Sequence, residues 1–295
     1  YLKIINTMIK NAKELVLNAL KKFEENSTKN GITGVQTGFK DLDMITSGLQ
    51  VGDLIIIAAS PGMGKFLFAT SMIKNVAINN DEAVAFFSLE SSPHNHITRM
   101  ITSETGISID RLRNGRLAPH EWEKLNLKLD RLSKSPIYIE DTILSFSDLK
   151  KKATKLVTKK NVKLIVFDSL QSFRISVLPK KNPKEGIVDT TLYLKNLAKE
   201  LQVPIVALSE ISREAELRDG SKRPVLSDLS EVEAIEKIAD IVLFIYRPEY
   251  YGFPEWEDGS TSEGQAELIL AKHKNGGLDN MRVKFTGHLA EFSDL

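Results

Sequence analysis

The sequence predicts an α/β fold built on a mainly parallel central sheet with helices on both faces, and three observations predict it. From position 52 on, short β-rich runs recur along the chain, most of them are apolar at every position, and helical patterns lie between them. A strand apolar on both faces has to be covered on both faces, and an intervening helix supplies the crossover that parallel pairing needs.

In chain order, residues 2–23 come first. Leu2, Ile5, Met8, Ile9, Leu15, Val16, Leu17, Leu20 and Phe23 fall mostly three and four apart with Lys, Glu and Asn between them, the spacing of an amphipathic helix. The polar stretch 24–31 reads as a linker, which divides the chain into residues 1–31 and a single large domain, 32–295. The helix either folds back on that domain or docks as an arm on a neighbouring subunit; the pattern is the same for both.

The strand candidates are 54–59, 83–88, 137–140, 164–168, 204–209, 241–246, 266–271 and 281–285. Helical patterns lie near 65–79, 93–113, 119–134, 146–160 and 187–201. The lysine-rich segment 150–163 keeps Leu149, Ala153, Leu156 and Val157 on one side, which suits a solvated helix better than a nucleic-acid patch. The last two runs are joined through 274–280 with no room for a helix, so they predict an antiparallel hairpin at one edge of the sheet. His94 and His96 sit two apart in a polar, proline-led segment and are expected on the surface.

Composition narrows the function classes. With 42% hydrophobic and 27% charged residues the 295-residue chain can bury a sizeable core, which excludes disordered and collagen-like classes. Forty basic against 39 acidic residues give a net charge of +1, so any anion binding has to be local. The absence of cysteine excludes disulfides, thiolate metal sites and cysteine nucleophiles. No apolar run approaches the roughly 20 residues of a membrane span, and no signal peptide opens the chain; the expected address is the cytoplasm, with no membrane partner. A chain that opens on Tyr1 reads as part of a longer protein.

The chemistry concentrates after the first strand. The run 54–59 leads into Ser60, Pro61, Gly62, Met63, Gly64 and Lys65 and then a helical pattern, the strand, glycine-rich turn and helix of a phosphate-binding P-loop. Two glycines let backbone N–H groups close on an anion, the helix start adds a positive dipole end, and Lys65 reaches terminal phosphates. Two positions depart from the usual pattern. Ala59 replaces the first glycine, and Phe66 stands where a Ser or Thr hydroxyl normally ligates the nucleotide's Mg²⁺. The strand 164–168 ends in Asp168, the carboxylate expected to hold Mg²⁺ opposite a P-loop. Glu90, just past the second strand, is either a general base for an attacking water or an acid ahead of a helix opened by Pro93. Ser209 and Glu210 end a third strand at the same edge, where open parallel sheets bind ligands.

These residues carry a resemblance. Segments 34–43 (GVQTGFKDLD), 47–59 (SGLQVGDLIIIAA), 87–90 (FSLE), 168–171 (DSLQ), 197–204 (LAKELQVP), 209–213 (SEISR), 222–229 (KRPVLSDL), 239–240 (AD), 246–247 (YR) and 271–276 (AKHKNG) occur in order. Over residues 33–295 the chain resembles the RecA-like, P-loop motor domain of the DnaB family of replicative DNA helicases. Residues 2–23 resemble the tail of that family's linker helix. The resemblance implies a homo-hexameric ring held through the linker helix, with ATP and Mg²⁺ bound between neighbours and single-stranded DNA in the centre; a primase and a helicase loader are the implied partners.

Carried over by residue, it implies that Lys65 holds the β/γ-phosphates, Asp168 the Mg²⁺ shell and Glu90 the attacking water. It also implies that Lys272 and Lys274 reach the neighbour's γ-phosphate, and that Glu210 and Arg247 lie with residues 60–66 at the nucleotide. Lys274 stands in place of an arginine and so lacks its planar fork; Glu210 replaces a Gln. Where the family's DNA-contacting segment reads Leu-Arg-Glu-Ser-Gly, this chain has Leu229, Ser230, Glu231, Val232 and Glu233, one arginine fewer and one carboxylate more, which predicts weaker DNA binding. Arg213, Arg218, Lys222 and Arg223 in one loop and Lys180, Lys181 and Lys184 in another would line the DNA channel, or else are solvated loops. The departures leave a second expectation beside the helicase motor, a nucleotide-binding ring or assembly module with impaired hydrolysis, and a third, an altered chain that keeps the fold without the site.

Overall fold

The fold is described from a computed structural model, which describes residues 11–27, 31–178, 182–212, 214–229 and 232–295. A nine-stranded sheet forms its middle, in the order β3-β2-β4-β5-β1-β6-β7-β8-β9. These strands are β1 (Leu54–Ala59), β2 (Val84–Ser88), β3 (Ile137–Glu140), β4 (Leu164–Asp168), β5 (Ile205–Glu210), β6 (Ile241–Tyr246), β7 (Gln265–His273), β8 (Asn280–Thr286) and β9 (Glu291–Asp294). The first six pair in parallel and the last three antiparallel, as the alternating pattern predicts.

Strand pleating explains why the runs are apolar throughout. In β1, Ile55, Ile57 and Ala59 enter one core, and Leu54, Ile56 and Ala58 enter a second core on the opposite face. The first core lies under α2 (Lys40–Thr46), α3 (Lys65–Lys74) and α4 (Pro93–Thr105); the second lies under α7 (Phe146–Lys160), α8 (Leu170–Val177) and α9 (Pro183–Leu201).

Capping chemistry sets several helix bounds. Ser92 caps α4 ahead of Pro93, Ser145 caps α7, and Asn182 with Pro183 starts α9 four residues before the periodic pattern begins. The helix expected over 93–113 is two helices, α4 and α5 (Ile109–Asn114), because Gly106 turns the chain at φ +67°. α6 (Pro119–Lys134) has the predicted bounds, and α10 (Glu214–Leu217) and α11 (Val232–Ile238) are short additions. The helix expected over 65–79 is α3 continued by a π-helical turn over residues 75–79.

Three expectations need correction. The amphipathic helix, α1 (Ala12–Ser27), runs four residues into the expected linker; residues 1–10 and 28–30 lie outside the described ones. The hairpin of β7 and β8 is not the edge of the sheet, since β9 pairs beyond it. That last strand also holds α3, with the Phe292 N–H donating to Ser71 Oγ at 2.9 Å and the Phe292 ring set edge-on to Phe68 at 5.6 Å. His96 is completely buried, because Ser88 at the end of β2 and the rings of Phe66 and Phe86 enclose it; His94 is exposed as expected.

Candidate functional site

Four adjacent strands, β2, β4, β5 and β1, place four charged side chains in a row at their carboxyl ends. Glu90 follows β2, Asp168 ends β4, Glu210 ends β5, and Lys65 opens the helix after β1. The register aligns Ser88 with Asp168 and Ala59 with Glu210, so parallel pairing alone brings groups from four distant segments to one edge.

The P-loop is built from glycine geometry. Gly62 and Gly64 have φ of +82° and +94°, a region costly for L side chains. Both are also crowded: a Cβ on Gly62 would meet the Tyr250 hydroxyl at 2.6 Å, and one on Gly64 would meet the Phe292 ring at 3.0 Å. Gly64 caps α3 without any side-chain acceptor, so the first N–H groups of this helix are free for an anion. The Arg247 guanidinium stacks on Phe285 at 3.7 Å and donates to the Gly62 carbonyl at 3.3 Å, bracing the loop from the other side. Met63 points into the core, leaving only its backbone toward a ligand. The loop borders a cavity of about 440 Å³ lined by Ser60, Gly62, Gly64, Lys65, Phe66 and Arg99. A larger cavity of about 540 Å³ under Trp256 is walled by the Arg223–Glu267 pair and holds none of these groups.

Electrostatics tie the row together. Lys65 Nζ donates to Glu210 Oε1 at 3.2 Å, and this lysine is 13% exposed against 46% for its partner. Asp168 is nearly enclosed; burial first, and then the charge of Glu90, push its carboxyl up to about 7, against the opposing pull of Lys65 and Arg99. Glu90 Oε1 accepts hydrogen bonds from Ser169 Oγ at 2.8 Å and Ser172 Oγ at 2.6 Å. Two hydroxyls from the start of α8 therefore fix its carboxylate at the row, and it caps no helix backbone.

Mg²⁺ finds an incomplete donor set here. Asp168 offers a carboxylate, but Phe66 has no oxygen, and its ring packs against Phe86 and His96 with the Arg99 guanidinium 4.6 Å from its centroid. Of the neighbouring hydroxyls, Thr70 Oγ1 donates to the Phe66 carbonyl at 2.9 Å, and Ser60 Oγ accepts from the Tyr251 hydroxyl at 3.3 Å. Among the described residues no group of three or more potential ligands gathers as a metal site.

The other expected residues are scattered. Lys272 donates to the carbonyls of Glu236 and Ala239 at the end of α11, which engages it inside its own chain. Lys274 is 63% exposed, 3.9 Å from Asp240. Arg218 pairs with Asp228 and Arg223 makes a two-toothed pair with Glu267 at 2.6 and 2.8 Å, so both guanidinium groups are engaged within their own chain. Lys222 lies over the Tyr251 ring at 5.3 Å, and Lys184 is exposed. Arg213, Lys180, Lys181, Ser230 and Glu231 lie outside the described residues. Sequence reasoning misses Arg99 and places His96 on the surface; their spacing of three on one helix is the signal that pairs them.

Known proteins resemble this chain in sequence and in fold. Residues 34–294 match the family described as the DnaB-like helicase C terminal domain. The chain is 39% identical to the replicative DNA helicase DnaB of Geobacillus stearothermophilus over 288 residues, covering 97% of this chain and 62% of that protein. It is 37% identical to the replicative DNA helicase DnaC of Bacillus subtilis (strain 168), with the same coverage. Among solved structures it resembles an ATPase domain at a TM-score of 0.86, with 33% identity over 97% of this chain and 99% of that one. It also resembles a DnaB-like replicative helicase studied for its interactions with primase, at a TM-score of 0.83 and 32% identity over 97% of this chain and 67% of that one. The chain spans about 62% of the length of the curated relatives it matches.

Proposed function

The chain belongs to the DnaB-like helicase C-terminal domain family, and from that premise we propose that it is the ATP-hydrolysing motor of a replicative DNA helicase. In this reading six copies form a ring, ATP binds between neighbours, and cycles of hydrolysis draw single-stranded DNA through the centre and part the duplex. The carrying observation is the row of Glu90, Asp168, Glu210 and Lys65 beside a P-loop whose N–H groups are open to an anion. Gly62, Gly64 and the start of α3 would receive the phosphates, and Lys65 would leave Glu210 to meet their terminal oxygens. Glu90, oriented by its two serine hydroxyls, would polarise the attacking water. Lys274, outward and largely exposed, would reach the neighbour's nucleotide. A primase and a loader would be partners of such a ring in the cytoplasm; no helix among the described residues is long and apolar enough to cross a membrane.

The Lys65–Glu210 pair and the ring of Phe66 favour one second reading, a ring that binds nucleotide but hydrolyses it poorly. Steady-state ATP hydrolysis with and without single-stranded DNA decides between them. The motor reading expects turnover that rises with DNA and is lost in Glu90→Gln. Nucleotide binding without DNA-stimulated turnover, in the unaltered chain and in Phe66→Thr alike, leaves the second reading.

A further inference from the structure

The P-loop cavity contains a cation that its phosphate-binding elements do not account for. Arg99 projects from α4 into the same space as Gly62, Gly64 and Lys65, and its guanidinium lies on the Phe66 ring, 4.6 Å from the centroid. Phe66 is itself seated: its ring meets His96 at 4.8 Å and Phe86 at 6.1 Å and packs on the core. His96 in turn is anchored with Nε2 2.7 Å from Ser88 Oγ and 3.1 Å from the Ser91 carbonyl. Position 66 is thus the floor of a stack that ends in a guanidinium.

Arg99 is also available. Among the described residues its guanidinium closes no ion pair and donates no hydrogen bond, whereas Lys65 is paired with Glu210 and Arg247 is turned to the Gly62 carbonyl. A guanidinium resting on an aromatic face keeps its edge donors free, and that planar fork matches two phosphate oxygens at once. With no oxygen at position 66, the place that would complete a divalent-cation shell holds an aromatic ring with a monovalent cation on top.

The geometry points to a nucleotide site in which Arg99, seated on Phe66, supplies the positive charge that a divalent metal would otherwise supply, so that this chain binds a nucleoside diphosphate or triphosphate without one. Phe66 is then a positioning residue for Arg99. The inference rests on the phosphate-site reading above and adds to it the identity of the counter-ion.

The test is calorimetric titration of the full chain with ADP, once in millimolar Mg²⁺ and once in excess EDTA. The expected dissociation constants agree within about threefold, Arg99→Gln weakens binding in EDTA by about tenfold, and Arg99→Lys recovers part of that loss because it keeps the charge without the fork. Phe66→Thr, which removes the platform and restores a hydroxyl, is expected to bind ADP about tenfold more tightly with Mg²⁺ than without. Thermal melts within about 2 °C of the parent show that each variant is folded. A parent chain whose affinity collapses about tenfold or more in EDTA overturns the inference alone, as does Arg99→Gln with unchanged affinity there. Absence of ADP binding under both conditions overturns the phosphate-site reading and this inference with it.

Discussion

Two lysine–carboxylate pairs flank strand β1, one at each end, and they are built in opposite ways. At its amino end Lys195 Nζ is buried, bonded to Asp240 and to the Gly52 carbonyl at 2.8 Å, with Asp53 3.7 Å away; Asp240 Oδ2 also accepts the Leu54 N–H at 2.9 Å. Every polar atom there helps to fasten β1, β6 and α9. At the carboxyl end Lys65 and Glu210 share one hydrogen bond of 3.2 Å, with the carboxylate nearly half exposed. A buried, multiply bonded pair is costly to break, whereas a half-exposed single contact contributes little and opens readily. The difference separates a structural lysine from one free to change partners when a phosphate arrives.

The largest effect is expected of Lys195→Ala. It leaves Asp240 and Asp53 facing each other with the largely exposed Lys274, 3.9 Å from Asp240, as a neighbouring lysine; burial and then the charge of Asp240 already raise the Asp53 carboxyl above its ordinary value. The expected loss is about 3–5 kcal/mol, a fall in Tm of roughly 10 °C by thermal denaturation. Lys65→Ala should do the reverse, shifting Tm by no more than about 2 °C while weakening ADP binding by about 30- to 100-fold in a titration.

A pH effect distinguishes the carboxylate row further. The folded state holds the Asp168 proton up to about 7, above the ordinary value of 3.8, so its contribution to stability is complete below pH 3.8 and is lost as pH rises through about 7. Asp168→Asn removes that loss. At pH 8 it is expected to be more stable than the parent by about 1–2 kcal/mol, with the advantage shrinking toward pH 5 in a series of melts. Smallest of all, Glu210→Gln should leave Tm unchanged and tighten ADP binding by about two- to fivefold, because it frees Lys65 from a half-exposed partner. A large drop in Tm for Glu210→Gln would show that both ends of β1 are structural.

Much of this fold is visible in the sequence because its signals are local. Strands β1, β3, β4 and β6 have the bounds of their apolar runs, and the P-loop shows in consecutive residues, where two glycines and a lysine after a strand have few other uses. Strand β9 is not visible: its four residues carry no period, and Phe292 is buried by reaching Phe68 and Ser71 on α3 and Phe285 on β8. The burial of His96 is hidden for the same reason, since its polar context is a neighbour in sequence while its packing partners, Phe66 and Phe86, are neighbours in space. Arg218, Arg223 and Lys272 look like free loop or hairpin cations until the tertiary structure supplies Asp228, Glu267 and the end of α11.

Local sequence dictates which segments form the parallel sheet, where an anion is cradled, and which carboxylates end their strands, because hydrophobic period, glycine conformation and strand polarity are properties of neighbouring residues. What each charge does depends on packing between distant segments. Lys195 and Lys65 are both lysines on helices, far apart in the chain, and nothing local tells the fastened one from the releasable one. Coulomb energy depends on distance and on solvent exclusion, and the fold alone sets both.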